Sequence, residues 1–418
     1  MNRIVIIFLF LSFFCSPISK SQVIQIKYKE AVKLGPSVNS EAEEAYPLIS
    51  SDGTKLYFTR ALSRENIGSI KGGQDIWVSD INGQKYSTAN NSFPKLNNKA
   101  NNAIVGISSD GTRLYLLNVY KTEKHMKAGI SFTTNQESGW SEPEEIKIPG
   151  LNIEGNNFGF WMNPEGDTLL ISAFNNDSRG KEDIFVSLKK DGKWCKPINL
   201  GSQINSYGYE ISPFLDKDGK TLYYSSAGKG GYGSADVYMS TRLNDSWTSW
   251  SYPKNLGKPI NSRDFDAYFS VHGNTAYFSS NRNSELSNIF IAEVVRLKPG
   301  ERLKDLPKAQ KVYFKLNDYL LYPEQKDVLS DIVKLLEDDY DLNVIVSGYT
   351  CDIGDNKTNE KLSGLRAESV LTYFVIMGID ESRIKVKHYG EIEAQKLNET
   401  EQDKKLKRRV DIKFGWED

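Results

Sequence analysis

Histidine and cysteine are both scarce in this chain of 418 residues, which contains three of each. The histidines, at positions 125, 272 and 388, lie too far apart in the sequence to have the spacing of metal ligands. The Gly-x-Ser-x-Gly motif of serine hydrolases is also missing. A formal net charge of −1 gives no support for a nucleic-acid partner. These absences argue against an enzyme and a nucleic-acid-binding protein, and the sequence predicts neither a metal nor a cofactor.

Long apolar segments are equally rare, and the most marked one lies over residues 4–15. It is too short to span a bilayer comfortably, and the small residues after it suit a cleavage site before Gln22. The pattern predicts a secretory signal peptide over residues 1–21. A lipid-modified Cys15 is the alternative, but bulky phenylalanines precede this cysteine where a lipobox has small residues. The mature protein is therefore expected to be soluble and located in the periplasm.

An internal repeat dominates the first two thirds of the chain. A short strand, a tight turn and an aromatic strand recur five times, with the turn glycines 53 to 58 residues apart: Gly53, Gly111, Gly166, Gly219 and Gly273. Each copy is followed by a second apolar element, such as Asp75-Ile76-Trp77, and most copies end in a Leu-Gly…Asn segment, as at residues 194–205 and 250–261. Each period thus has about four strands, which is the content of one propeller blade. We predict an all-β propeller over residues 22–295 with five blades; a sixth, poorly marked blade is the alternative.

The two ends of the repeat region complement each other. The fifth copy ends after Val294 without its Leu-Gly…Asn segment, and a similar segment stands at residues 31–39. Propellers avoid an open sheet edge by closing the ring of blades. The pattern predicts that residues 31–39 complete the last blade.

Two patterns in this region resemble catalytic motifs, and in both cases the context favours a structural role. The glycine-rich segment 228–234 has the composition of a phosphate loop, but it lies between two strands rather than between a strand and a helix. The recurrent Asp75, Asp183 and Asp236 precede strands and are expected to anchor turns.

A linker is predicted over residues 296–310, and an α/β sandwich with helices on one face over residues 311–418. The pattern predicts strands at 311–316, 344–347, 383–389 and 409–414, with helices at 323–338 and 358–377. In the second helix, Leu362, Leu365, Ser369 and Val370 are expected to face inward, with Arg366 at the start of the helix.

Two resemblances to known families follow from these motifs. The repeats resemble the PD40/WD40-like repeats of TolB-type propellers. Residues 347–370 resemble the signature of the OmpA-like C-terminal domain, the peptidoglycan-binding module of Gram-negative envelopes. Its motif is matched at Gly348, Thr350, Gly354, Asn359, Leu362, Ser363, Arg366 and Ala367.

The second resemblance implies a ligand site. It implies that Arg366 pairs with the carboxylate of diaminopimelate in the peptidoglycan stem peptide, and that Thr350, Asn359 and Ser363 help to shape the pocket. Arg408 and Arg409 are expected to border it. Cys351 stands where the family has the aspartate that meets the ligand's ammonium group, and Asp352 is a candidate substitute. Without the surrounding motif, an arginine at position 366 would be predicted to cap or bridge the surface of the helix.

The leading hypothesis is a non-enzymatic envelope protein, peripheral to the outer membrane. Its C-terminal domain binds peptidoglycan, and its propeller presents a surface to a protein partner in an outer-membrane or secretion assembly. The alternative is a scaffold whose OmpA-like domain has lost peptidoglycan binding through Cys351. A propeller enzyme is the third and weakest hypothesis. A disulfide between Cys195 and Cys351 is left open.

Overall fold

The computed structural model describes residues 25–122, 125–297, 308–338, 342–391 and 400–415. The predicted signal peptide and most of the predicted linker lie outside these residues. Among the described residues, no helix is both long enough and apolar enough to cross a membrane.

Each of the five sequence repeats forms one antiparallel sheet. Two short strands come first, β1 (Gln25–Tyr28) and β2 (Val32–Lys33). The sheets then follow in chain order. The first comprises β3 (Glu43–Ile49), β4 (Lys55–Ala61), β5 (Asp75–Asn82) and β6 (Lys85–Tyr86). The second comprises β7 (Ile104–Ile107), β8 (Arg113–Thr122), β9 (His125–Gln136), β10 (Gly139–Trp140) and β11 (Glu144–Ile146).

The remaining three sheets repeat this arrangement. The third comprises β12 (Glu154–Met162), β13 (Thr168–Phe174), β14 (Asp183–Lys190), β15 (Lys193–Trp194) and β16 (Ile198–Asn199). The fourth comprises β17 (Glu210–Leu215), β18 (Thr221–Ser226), β19 (Asp236–Thr241) and β20 (Lys254–Asn255). The fifth contains β21 (Asp266–His272), β22 (Thr275–Ser280) and β23 (Asn288–Leu297). The predicted hairpin turns are confirmed, since all five turn glycines have positive φ, from 60° to 74°.

The five sheets contact one another in a cycle. The first strand of each sheet contacts the first strand of the next, from β3 through β7, β12 and β17 to β21, and β21 contacts β3 again. Aromatic side chains fill the junctions. Trp161 of the third sheet packs edge-on against Phe214 of the fourth, with ring centroids 5.5 Å apart. Between the first and fifth sheets, the rings of Tyr46 and Tyr268 lie against each other at a tilt of 36°, with centroids 4.0 Å apart.

The N-terminal segment completes the fifth sheet. Strand β2 pairs with β23, with Val32 opposite Ile291, and the Leu34 N–H donates to the Ile289 carbonyl at 3.0 Å. The predicted pairing of residues 31–39 with the last repeat is therefore confirmed. Strand β1, which pairs with β23 as a further strand, was not predicted.

A buried asparagine explains the Leu-Gly…Asn segments. Asn39 accepts a hydrogen bond from the Ile289 N–H at 2.8 Å and donates to the Ile289 carbonyl at 2.9 Å. Asn205 makes the same pair of bonds to Ile184, at 2.8 and 3.0 Å. Asn97 and Asn261 repeat the arrangement in the first and fourth sheets. Each asparagine thus clamps the third strand of its sheet, and Asn39 does so for the strand that closes the cycle.

The last part of the chain is a mixed sheet with helices packed on one face. Its elements are β24 (Gln310–Tyr313), α1 (Pro323–Asp338), β25 (Val344–Thr350), α2 (Asn356–Ile376), β26 (Ile384–Glu391), α3 (Glu401–Lys407) and β27 (Arg409–Phe414). The strand order is β24-β27-β25-β26, and only β25 and β26 are parallel to each other. The predicted element order is correct, but α3 was not predicted and β24 is shorter than the predicted strand.

The inward face of α2 differs from the prediction. Its buried residues are Asn359, Ser363, Arg366, Ala367, Val370 and Phe374, whereas Leu362, Leu365 and Ser369 are only partly buried. Arg366 lies in the middle of the helix and not at its start. The prediction is right for Val370 and wrong for Leu362, Leu365 and Ser369, because three of the inward positions hold polar side chains that bond to the interior.

Candidate functional site

The candidate site lies at one edge of the C-terminal sheet. There β25 and β26 end and β27 begins, with Thr350 opposite Glu391 and Tyr349 opposite Arg409. Arg408 directly precedes Arg409, so Glu391, Thr350 and Arg408 form one row across three neighbouring strands. The row combines a carboxylate, a hydroxyl and a guanidinium. Adjacent strands lie about 4.8 Å apart, so the backbones at the two ends of the row are about 10 Å apart.

Arg366 reaches from α2 into the interior behind this edge. Its Nε donates to the Asp318 carbonyl at 2.8 Å, and its Nη1 and Nη2 donate to the carbonyls of Tyr349 and Lys315, both at 3.0 Å. The residue is 0% exposed. A guanidinium has five N–H groups, so these bonds leave one on each terminal nitrogen. The arginine joins the end of β25 to the loop after β24, and the ligand contact predicted for it stays a prediction.

Arg408 and Cys351 lie together beside Thr350. The Arg408 Nη1 is 3.8 Å from the Cys351 Sγ, and its Nη2 donates to the Glu401 carboxylate at 2.9 Å. Both residues are buried, at 5% and 2% exposure. Cys351 and Cys195 are both free thiols. The thiol is therefore in contact with a cation of the domain itself.

Two buried polar atoms of this row lack a hydrogen-bond partner within the described part of the chain. They are the Thr350 Oγ1 and the Arg408 Nε. Leaving a buried donor or acceptor unpaired costs about 1–3 kcal/mol. Such groups are rare in folded proteins, and a bound ion, water or ligand is one of the explanations for them.

Asn359 and Ser363 fix the end of β26 against α2. The Asn359 Nδ2 donates to the Glu391 Oε2 at 3.0 Å, and the Ser363 Oγ accepts from the Gly390 N–H at 3.0 Å. Gly348 allows the close approach of β25 to α2, since a Cβ there would lie 2.1 Å from the Ser363 carbonyl oxygen. These residues set the spacing between helix and sheet at the site.

Two of the predicted site residues lie away from the row. Arg409 extends to the opposite face of the sheet, where its Nε bonds to Asp411 at 2.7 Å and its guanidinium lies 5.2 Å from the Tyr349 ring centroid. Asp352 is exposed, and its carboxylate lies 3.9 Å from the Lys404 Nζ. The structure thus brings Thr350, Cys351, Asn359, Ser363, Arg366 and Arg408 together, and it separates Arg409 from them.

Glu391 is the residue that sequence reasoning missed. It ends β26 directly beside Thr350. The signal was available, because parallel strands end at the same edge of a sheet and the predicted strands at 344–347 and 383–389 suited a parallel pair. Pairing these two predicted strands in parallel would have placed the residues just after 389 next to the family motif.

The pKa of Arg366 is lowered to about 10, chiefly by burial and also by the neighbouring Arg408, while Cys351 and Asp318 act in the opposite direction. At neutral pH the guanidinium is still protonated. The edge therefore holds two buried cations close to each other, which favours an anionic ligand.

The N-terminal sheets offer weaker candidates. Asp75, Asp183 and Asp236 each accept a backbone N–H of a preceding loop and an asparagine side chain, which fits their predicted structural role. Residues 228–234 connect β18 to β19, so this segment is a loop between strands, as predicted. A cavity of about 180 Å³ beside the third sheet is lined by Asn152, Asn175, Asp177 and Lys196 among others. It lies far in sequence from the row described above and does not include the recurrent aspartates.

Comparisons with known proteins match the C-terminal domain. The model of the OmpA family matches residues 313–408. The peptidoglycan-associated lipoprotein of Buchnera aphidicola is 26% identical over 142 residues, which cover 34% of this chain and 74% of that protein. The outer membrane protein A of Klebsiella aerogenes is 38% identical over 82 residues, covering 19% of this chain and 23% of that protein.

Among solved structures, the peptidoglycan-associated lipoprotein of Burkholderia pseudomallei is 21% identical and has a TM-score of 0.24. The match covers 25% of this chain and 89% of that one. The chain spans only about a quarter of the length of some relatives, such as the Klebsiella protein. Residues 313–408 form an OmpA-like domain.

Proposed function

We propose that the OmpA-like domain binds the stem peptide of peptidoglycan and thereby anchors the protein in the cell envelope. The observation that carries this proposal is the row at the sheet edge, where buried cations and unpaired polar atoms coincide with the matched motif. A relative named peptidoglycan-associated lipoprotein is 26% identical over 142 residues, which supports the choice of ligand.

The chemistry of the edge suits a carboxylate. Guanidinium groups form strong, charge-assisted hydrogen bonds to carboxylates, and the strength increases where water is excluded. In the proposed complex, the diaminopimelate carboxylate pairs with the two N–H groups that Arg366 leaves unused, and Arg408 lies beside it. Because Arg366 is buried and bonded to the carbonyls of Lys315 and Asp318, this contact requires the loop at residues 315–322 to shift.

We further propose that the five N-terminal sheets are the blades of a β-propeller that presents a surface to a protein partner. The cyclic contacts of the first strands and the pairing of β2 with β23 support this interpretation. In this proposal the signal peptide at 1–21 directs export, residues 296–310 link the two domains, and the protein is peripheral to the outer membrane. It acts as a binding protein and not as an enzyme.

Co-sedimentation of the full mature chain with purified peptidoglycan sacculi tests the anchoring function. We expect Arg366→Ala to abolish sedimentation, and Arg366→Lys to weaken it because a lysine keeps the charge but cannot form a fork. Arg409→Ala is the matched control, since this arginine lies on the opposite face, and it should sediment like the wild type.

Folding must be separated from binding in this experiment, because Arg366 makes three hydrogen bonds in the interior. Circular dichroism identifies variants that unfold, and Arg408→Gln provides a second site variant that leaves those three bonds intact. If folded Arg366→Ala and Arg408→Gln both sediment as well as the wild type, the proposed site is wrong.

A second candidate function is a scaffold whose OmpA-like domain no longer binds peptidoglycan. The position of Cys351 favours it, because the thiol is buried and contacts Arg408 instead of presenting an acid to a ligand. A wild-type protein that fails to sediment, together with a Cys351→Asp variant that does sediment, would select this alternative.

A further inference from the structure

The carboxylate of Glu391 occupies the end of the row opposite to Arg408. Its Oε2 accepts one hydrogen bond, from the Asn359 Nδ2 at 3.0 Å, and the residue is only partly buried. A carboxylate has about four acceptor positions on its two oxygens, so this one bond leaves most of its capacity for a further donor. Asn359 itself is 2% exposed and holds the carboxylate in place.

The other two acids near the edge are less suited to receive a ligand cation. Glu401 is 70% exposed and already bonds to Arg408. Asp352 lies next to Lys404, so its charge is partly neutralised at the rim. Glu391 has neither disadvantage, because its one bonded partner among the described residues is a neutral amide.

The row therefore has opposite charges at its two ends and an unpaired hydroxyl between them. The side chains of Glu391, Thr350 and Arg408 start from three adjacent strands, and Glu391 and Thr350 face α2. A ligand that carries an ammonium group and a carboxylate a few ångströms apart matches this order of charges. The Thr350 Oγ1 then gains the hydrogen-bond partner that it lacks among the described residues.

We propose that Glu391 binds the ammonium group of a zwitterionic amino-acid side chain whose carboxylate is held by the arginines. This inference rests on the proposed peptidoglycan function and specifies its ligand, the free amino-acid end of the diaminopimelate side chain. The domain then distinguishes a stem peptide with a free amine from one whose amine is acylated, as it is in a cross-link. Cys351 takes no part in this discrimination.

Two soluble probes test the proposal with the full mature chain. One is a stem tripeptide that ends in diaminopimelate, and the other is the same peptide with the side-chain amine acetylated. Losing a charge-assisted hydrogen bond typically lowers affinity about ten- to a hundred-fold. We expect calorimetry to show that the wild type prefers the free amine by such a factor, and that Glu391→Gln binds both peptides equally and weakly.

Glu391→Gln keeps an acceptor for Asn359 and changes the volume little, so the domain should stay folded. Asp352→Asn is the matched control and should keep the wild-type preference. If the preference is lost in Asp352→Asn and kept in Glu391→Gln, or if the wild type has no preference, the role of Glu391 is refuted while the anchoring function stands. If the wild type binds neither peptide and does not sediment with sacculi, the anchoring function itself fails.

Discussion

Replacing Asn39 by alanine tests how the N-terminal segment closes the cycle of sheets. The side chain makes three buried hydrogen bonds, to the Leu34 carbonyl at 2.7 Å and to the carbonyl and N–H of Ile289 at 2.9 and 2.8 Å. Each such bond contributes about 0.5–1.5 kcal/mol net, and buried groups left unpaired add to the loss. We expect Asn39→Ala to lower the free energy of unfolding by about 3 kcal/mol.

Asn205→Ala is the matched control for this substitution. Asn205 also makes three hydrogen bonds, two buried ones to Ile184 and a partly buried one to Asn199, so a similar loss of stability is expected. The two variants should differ in where the structure opens. Asn39 holds segments about 250 residues apart in sequence, whereas Asn205 holds segments 21 residues apart.

Urea unfolding followed by tryptophan fluorescence measures the stability of the N-terminal region, because six of the seven tryptophans precede residue 297. Hydrogen exchange then locates the opening. In Asn39→Ala, exchange should accelerate in residues 25–39 and 288–297, and in Asn205→Ala it should accelerate in residues 183–190. A loss below about 0.5 kcal/mol in Asn39→Ala, or unchanged exchange in residues 288–297, would refute the closing role of this asparagine.

Two further substitutions have matched comparisons in the chain. Gly348→Ala places a Cβ 2.1 Å from the Ser363 carbonyl oxygen, so we expect the free energy of unfolding to fall by about 2–3 kcal/mol and sacculus binding to weaken. In the control Gly364→Ala, the Cβ meets no atom closer than 3.9 Å, so this change should be neutral or stabilising. Burial raises the pKa of Asp236 to about 6. Between pH 4 and 6 the folded state therefore holds a proton that the unfolded state has released. The free energy of unfolding should fall by up to about 3 kcal/mol as the pH rises across this range. Asp236→Asn, which copies Asn288 at the equivalent place in the fifth sheet, should remove this fall in urea-unfolding curves recorded across that range; an unchanged curve would contradict the assignment.

The repeats made the N-terminal sheets predictable, because a strand-turn-strand pattern with an obligatory glycine is local in sequence. Even the pairing of residues 31–39 with β23 followed from a missing segment at one end and its copy at the other. The asparagines that bond to the third strand of each sheet were visible as a recurring residue in the sequence, but the sequence did not reveal these hydrogen bonds. Asn39 and Ile289 have to be adjacent in space before the reason for the asparagine becomes clear.

At the candidate site, local sequence patterns did not predict which residues of α2 face inward. The motif spacing grouped Arg366, Asn359 and Ser363, which lie on the buried face of α2, but the helical pattern assigned the inward face to Leu362, Leu365, Ser369 and Val370, of which only Val370 is buried. The polar residues face inward because backbone groups of β25, β26 and the loop after β24 supply their partners. Those partners lie 17 to 51 residues away from them in sequence, and no local pattern encodes such pairings.

The same three-dimensional arrangement changes the meaning of the substitution at Cys351. In the sequence, a cysteine in place of the family's aspartate indicates a lost acid and therefore weaker binding. In the structure, an acid stands one strand away at Glu391, beside Thr350 and held by Asn359. A charge that is missing from a motif can thus be supplied by a residue 40 positions later, because parallel strands bring their ends to one edge. If Glu391 binds the ligand as proposed, the domain keeps its ligand despite Cys351, and the Glu391→Gln and Cys351→Asp variants distinguish this case from a lost ligand.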